Sequence, residues 1–353
     1  MSLWKLDRKM ALATAAGVAL LALMIWSFNP SQIASALRRA DLYILALATL
    51  VQLADMLLWA ARWHFVLQRA GIRAPFRLTF LINNASMLVN NVTPSARSGG
   101  EPLRIYLLAR LTGCRARDVA SSVVIDRILD YFPLVALLLL GLASLLRSGS
   151  RMTQLLAAGV LVLTLALTFS VWIMANERII LRFGTLLSRL LSRTRRGDRV
   201  DARRIERWVQ RFVRNFRRLL SDPCTLACGT AISSVIWACE VLRTYLVFSS
   251  LGCTVPLPVI VVGFTVSMLV GALPLLPGGL GAIEVSAASA YAALGVDRGI
   301  SAAAVLLDRV ISYWMVNAVG LASLLHISRR RGRGELHDAV RTGQSGDDHP
   351  TLR

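Results

Sequence analysis

Apolar residues fall into six long runs, at approximately 10–28, 42–66, 119–146, 154–175, 224–250 and 300–326. A helix needs about 20 apolar residues to cross the hydrocarbon core of a bilayer, so each run predicts a full membrane span. Two further apolar stretches, 76–112 and 256–296, are each broken near the middle. The first break is Asn90-Asn91-Val92-Thr93-Pro94-Ser95-Ala96-Arg97-Ser98-Gly99-Gly100-Glu101. The second is Pro274-Leu275-Leu276-Pro277-Gly278-Gly279-Leu280-Gly281. A continuous helix would lose backbone hydrogen bonds at these prolines. Half-helices that enter and return on one side explain both stretches, provided that protein or a wet cavity surrounds the irregular backbone. The first run follows Lys5, Arg8 and Lys9 and precedes Ala34-Ser35-Ala36, as a signal peptide would. It is longer than the roughly 7–15 residues of a signal core, so a retained helix is expected.

Composition agrees with this pattern. Of 353 residues, 55% are hydrophobic and 17% charged, whereas a soluble domain carries roughly 25% charged residues. The net charge of +20 would suggest nucleic acid in a soluble chain. Here it is a topology signal. Residues 176–222 hold 14 Arg and 5 acids, and the positive-inside rule places this loop in the cytoplasm. Alternating the spans outward places both termini inside, with 31 of the 40 basic residues on the cytoplasmic side and 5 outside. Within the loop, Ile205, Trp208, Val209, Phe212 and Phe216 recur at helical spacing, which predicts an amphipathic helix on the anionic leaflet. Nucleic acid is not an expected partner.

The four basic residues left over are Arg62, Arg127, Arg243 and Arg309, all within or near the ends of spans, and they belong to an internal repeat. Arg62, Gly71 and Pro75 are spaced as Arg243, Gly252 and Pro256 are, at an offset of 181. Asp126, Arg127 and Tyr131 recur as Asp308, Arg309 and Tyr313 at 182, with Ala120 matching Ala302 and Val123 matching Val305. Glu101 and Glu284, one after each break, are offset by 183. By the predicted topology the copies, about 42–146 and 224–326, run in opposite senses across the membrane. The expected fold is therefore an all-α polytopic membrane protein with about six full transmembrane helices and two broken re-entrant hairpins in an inverted repeat. Residues 1–328 form one membrane domain, and 329–353 are a disordered polar tail. Inverted repeats with broken helices are an architecture of secondary transporters, whose site lies at the repeat interface.

Several residues carry candidate chemistry. Gly99-Gly100 and Gly278-Gly279 stand where second half-helices would begin. A helix N-terminus offers free N–H donors and the positive end of a dipole, so these turns could receive an anionic headgroup. They could equally serve tight turns and close helix packing. Arginine at membrane depth is costly unless paired. Asp126 and Asp308 diverge by about 100° from the adjacent arginines on a helix, so each is expected to pair with an arginine of another helix. The pairs either line a polar cavity or staple the repeats. Arg62 and Arg243 have Asp55 and Glu240 nearby as partners, and Arg62 could instead snorkel from a span end. Glu101 and Glu284 either cap helix ends or titrate. Asn83, Asn84, Asn90 and Asn91 line a route or cap helix ends.

The five cysteines include no CxxC pair and the four histidines no HExxH, so neither a disulfide framework nor a metal site is expected. No cofactor is expected either. No nucleophile–base–orienter set is visible, so no catalytic residue is assigned and an enzyme is not expected.

The pattern Asn-x-x-x-Pro-x-x-x-x-Gly-Gly-Glu-x-x-Arg in 90–104, with Leu-Pro-x-x-Pro-Gly-Gly-Leu-Gly-x-x-Glu in 273–284, resembles the lysylphosphatidylglycerol synthase transmembrane region, also called the flippase-like domain. The resemblance covers roughly 10–328. It implies a stand-alone inner-membrane domain that moves a lipid between leaflets, or one that acts with lipid-biosynthesis enzymes on polyprenol-linked or hopanoid lipids. Bifunctional members continue into an aminoacyl-transferase domain; here a short polar tail follows instead, so lysyl transfer is not expected. Membrane lipids with an anionic or zwitterionic headgroup are the expected partners.

Overall fold

A computed structural model describes residues 17–93, 99–148, 202–271 and 277–332, with scattered helical positions between 154 and 169. The described elements are helices. They are α1 (Gly17–Ser27), α2 (Pro30–Arg38), α3 (Leu42–Arg69), α4 (Phe76–Val92), α5 (Glu101–Thr112), α6 (Ala116–Ser148), α7 (Ala202–Leu220), α8 (Pro223–Ser250), α9 (Leu257–Gly271), α10 (Ala282–Ala293), α11 (Arg298–Arg309) and α12 (Val316–Gly332). A π turn, Val310–Met315, joins α11 to α12. Three of these bodies are long and apolar enough to cross a membrane: α3, α8 and the run Arg298–Arg329. Residues 10–16, most of 154–175, 94–98, Pro274-Leu275-Leu276 and the tail from 333 lie outside the described residues.

Local signals set the helix ends. Asp41 caps α3 by accepting from the Tyr43 and Ile44 amides, and Asp297 caps α11 by accepting from the Ile300 amide. Gly71 and Gly252 close α3 and α8 with φ of 76° and 71°, a left-handed conformation that costs glycine little. The breaks fall where glycine and proline predict them. Helices α4 and α5 cover 76–112 as 17 and 12 residues, and α9 and α10 are 15 and 12 residues long. Each is shorter than the roughly 20 residues of a full crossing.

Two expectations need correction, while the described part of the first apolar run is one helix, α1, from which α2 turns away by 87° at Asn29, whose φ is 61°. Asparagine tolerates that region better than most residues. The last helix runs to Gly332, so the first residues beyond 328 are helical rather than disordered tail. Helix α7 does form from the basic loop, but the described part of its apolar face does not lie on lipid. Phe216 and Leu219 are buried against Val66 of α3 and Ile125, Ile128 and Leu129 of α6. Amphipathic spacing marks a face to be covered and leaves open what covers it.

The packing leaves an apolar surface around an interior that also holds charge. On α3, Leu42, Tyr43, Leu47, Leu50, Leu53 and Leu57 are exposed, while Gln52, Asp55 and Arg62 are buried. Polar side chains facing inward and apolar ones outward suit a lipid surround. Helices α3 and α8 pack along each other at the centre. Helix α12 lies on α4 and α6 lies on α9, while α5 packs on α6 and α10 on α11. Both long helices are irregular just after their Asp-Arg pair: Pro133 interrupts α6, and the π turn follows α11.

Candidate functional site

The buried charges form a chain of pairs centred on α6. Arg62 Nε donates to Asp126 Oδ1 at 2.8 Å, and Arg62 Nη1 donates to Asp130 at 2.6 Å. The other Asp126 oxygen accepts from Arg104 at 3.0 Å. Arg104 also reaches Glu101 at 3.2 Å, and Glu101 accepts from Arg127 Nε at 2.9 Å. Helix α6 places Asp126 and Asp130 one turn apart, so both face α3. Each Asp pairs with an arginine of another helix, as its direction on the helix requires.

The α8 side repeats two of these pairs atom for atom. Arg243 Nε donates to Asp308 Oδ1 at 2.8 Å. Arg309 Nε donates to Glu284 Oε1 at 2.6 Å, and its Nη2 donates to the Gly278 carbonyl at 3.1 Å. The Arg309 guanidinium also lies 4.3 Å from the centre of the Tyr313 ring, a cation–π contact. Arg243 is held as well by Glu240, at 2.8 Å.

Across the α3–α8 seam the contacts are reciprocal. Arg62 Nη1 donates to Ser233 of α8 at 2.7 Å, and Arg243 Nη1 donates to Gln52 of α3. Ser233 and Gln52 are 181 residues apart, the same offset as the two arginines. Arg62 is fully buried, so it does not snorkel. Its carboxylate partners are Asp126 and Asp130 rather than Asp55, which accepts instead from Gln52 Nε2 at 3.3 Å.

A cavity of about 690 Å³ opens between these elements. Arg127, Arg243, Arg309, Glu101, Asp308, Tyr131 and Tyr313 line it, with Asp55, Asp130, Glu240, Arg104, Gln52, Trp59, Trp237, Asn83, Asn90 and Asn91. Arg62, Asp126 and Glu284 do not line it; they brace the residues that do. Neither do Gly99, Gly100, Gly278 and Gly279, and for Gly100 and Gly278 the geometry shows packing. The Gly100 amide already donates to Asn90 Oδ1 at 2.6 Å, and a Cβ there would meet the Ser86 carbonyl at 2.0 Å. A Cβ on Gly278, whose φ is 58°, would meet the Asn91 carbonyl and the Tyr313 ring. Gly279 also has positive φ, 67°. Glu101 and Glu284 spend their described contacts on arginines rather than on capping amides. Asn91 joins α4 to α12 through Asn317 at 2.8 Å, and Asn84 donates to the Phe80 carbonyl at 2.9 Å.

A family model, the lysylphosphatidylglycerol synthase TM region, matches residues 10–320. The chain belongs to this family. It is a membrane protein with several apolar helices. A UPF0104 membrane protein of Methanothermobacter thermautotrophicus is 32% identical over 326 residues, covering 90% of this chain and 96% of the relative. One from Pyrococcus horikoshii is 26% identical over 312 residues, covering 86% and 93%. The glycosyltransferase AglD of Haloferax volcanii is 24% identical over 333 residues, 87% of this chain and 53% of AglD.

Within the family pattern itself lies a residue that charge counting treats only as a topology signal. Arg104 ends the motif of 90–104 and counts among the cytoplasmic basic residues by topology, yet it is 1% exposed and bridges Glu101 to Asp126. Its spacing from Glu101, three residues on one helix, was the available signal. Asp130 carried a similar one, four residues after Asp126. The carboxylates of the linked set are Asp55, Glu101, Asp126, Asp130, Glu240, Glu284 and Asp308. The guanidiniums are Arg62, Arg104, Arg127, Arg243 and Arg309. Carboxylates therefore outnumber guanidiniums by two.

Proposed function

We propose that the protein moves a lipid between leaflets, with the headgroup held in the cavity between two inverted repeats. The observation that carries this reading is the reciprocal seam, in which Arg62 reaches Ser233 and Arg243 reaches Gln52. The matched pairs Arg62–Asp126 and Arg243–Asp308 support it. So does the packing of α6 on α9 and of α12 on α4, each a long helix against a half-helix of the other copy. Two copies joined in this way can rock about the seam and open the cavity to either side in turn.

In this reading, Arg127 and Arg309 face the headgroup. Each keeps one side on a glutamate while lining the cavity. Guanidinium suits the bidentate recognition of phosphate. An anionic or zwitterionic lipid is the substrate class, and the acyl chains remain in the bilayer. The protein sits in the cell's inner membrane with six spans, two re-entrant hairpins and both termini cytoplasmic. The arginine-rich segment that ends in α7 faces the same side.

Leaflet-specific labelling of lipids in proteoliposomes tests the proposal. Transbilayer movement above the protein-free rate is expected for at least one phospholipid or lipid-linked species, and Arg127→Ala with Arg309→Ala should abolish it. Movement at the protein-free rate for every such lipid overturns the reading.

A second reading has one observation in its favour, the similarity to the glycosyltransferase AglD. It makes the chain a membrane-embedded transferase, or an accessory of enzymes acting on a lipid-linked substrate. Mass spectrometry of lipids from a deletion strain separates the two. A product that vanishes favours synthesis, and a product that accumulates in the inner leaflet favours transport.

A further inference from the structure

Among the described residues, the cavity wall holds one carboxylate with no arginine in ion-pair contact. Asp55 is 2% exposed and lines the cavity. Its Oδ2 accepts from Gln52 Nε2 at 3.3 Å, and its Oδ1 has no hydrogen-bond partner among the described residues. The Gln52 amide cannot turn to serve it differently, because its Oε1 is fixed by Arg243. Arg62, two turns further along the same helix, donates to Asp126, Asp130 and Ser233, and its remaining Nη2, which has no hydrogen-bond partner among the described residues, does not reach Asp55.

The surrounding charges do not supply the missing cation. On α8, Glu240 faces the same cavity and Arg243 is divided among Glu240, Gln52 and Asp308. Cys239 is uncharged as a thiol. On α6, Asp130 adds another negative charge, and on α11 Asp308 does the same. Helix α4 contributes asparagines to the cavity. An isolated carboxylate away from water is costly unless something pairs with it. The excess of carboxylates in the linked set says the same of the whole cluster.

A metal ion is a poor fit for this charge. Oxygen-ligated cations take six or more ligands, whereas among the described residues no group of three or more His, Cys, Asp or Glu side chains could hold one. A proton needs only the free oxygen.

We infer that Asp55 Oδ1 is a proton-binding site in the cavity wall, and that one proton taken up there and released on the other side accompanies each headgroup movement. The uptake forms one O–H bond and the release breaks it; water on either face gives and receives the proton. The coupling rests on the translocation reading, but the proton site does not. Opening the cavity to one side wets Asp55 and lets it ionise, whereas closing it favours the neutral acid.

Dicyclohexylcarbodiimide, which attacks protonated carboxyl groups in apolar surroundings, tests the site directly on the full chain in lipid. Mass spectrometry should find the adduct on the peptide that holds Asp55, falling about tenfold per pH unit once the site titrates. The arginine-paired Glu101 and Glu284 should stay unmodified. An Asp55 peptide that remains unmodified at every pH overturns the site, whatever lipids do. A second measurement tests the coupling. An imposed pH gradient should speed lipid movement several-fold in the wild type and leave Asp55→Asn unaffected, with the variant's unfolding midpoint recorded to show that it folds. A variant that responds as the wild type does overturns the coupling. An adduct on Asp55 with no lipid movement under any gradient overturns translocation and keeps the proton site.

Discussion

Arg62 and Asp126 meet at 2.8 Å with neither side chain exposed to solvent. They come from α3 and α6. Breaking a buried pair by removing one partner typically costs about 3–5 kcal/mol, because a charge is left alone. Arg62→Ala is expected to lower stability by about that much, since it also strips Asp130 of its guanidinium. Unfolding midpoints in detergent measure it. Asp126→Ala on the Arg62→Ala background should add less than it does alone; strictly additive losses would contradict the pairing.

The two cavity arginines should differ when truncated. Arg127→Ala leaves Glu101 with Arg104, at 3.2 Å. Arg309→Ala leaves Glu284 stranded at 2% exposure, with its other oxygen already without a hydrogen-bond partner among the described residues. Arg309→Ala is therefore expected to destabilise by about 3–5 kcal/mol, and Arg127→Ala by clearly less. Glu284→Gln on the Arg309→Ala background should recover part of the loss. Equal unfolding midpoints for the two single variants would count against this account.

Gly100 is expected to tolerate no side chain. Its backbone φ of −83° is open to any residue, so the obstacle is the Ser86 carbonyl 2.0 Å from an added Cβ. Gly100→Ala should separate α4 from α5 and cost about 1–3 kcal/mol or more, as overpacking does. Gly71→Ala meets nothing within 4 Å and carries only the strain of its left-handed φ, about 1–2 kcal/mol. The comparison of folded yield and midpoint for the two variants checks the ranking.

Acid should weaken one helix start outside the spans. The Thr225 hydroxyl and the Arg69 guanidinium, both donating to Asp222, hold its carboxyl below the usual range. A depressed folded-state value means that the stabilisation is present above the unfolded carboxylate value of about 3.9 and fades as pH falls below it. The gap in unfolding midpoint between the wild type and Asp222→Ala should be full near neutrality and shrink below pH about 4. A gap that is constant with pH would show that capping by charge is not its source.

The elements were legible where one physical rule dominates. Long apolar runs give helices, and the glycines and prolines of 90–101 and 274–281 mark the breaks. The pairing of Asp126 with an arginine from elsewhere followed from helix geometry alone. Which arginine it meets did not, because partner choice depends on how α3, α5 and α6 stack. Arg104 was hidden because a basic residue beside an expected cytoplasmic turn counts equally well as a topology signal. Proximity in sequence makes Asp55 a candidate partner of Arg62, yet seven residues on a helix bring two side chains onto one face without bringing their tips together. Helix α7 shows the same limit from the other side. Its apolar spacing was plain, and only the packed structure puts Phe216 against α3 and α6 instead of lipid.

The seam between α3 and α8 has the form of an isologous subunit interface enclosed within one polypeptide. A residue in the first half touches the counterpart of its own neighbour in the second, so neither half can change at Arg62 or Arg243 without the other sensing it. Genetic suppressors of a seam substitution are therefore expected some 180 residues away in sequence, in the opposite half. In its inheritance, this single gene should behave like a pair of obligate partners.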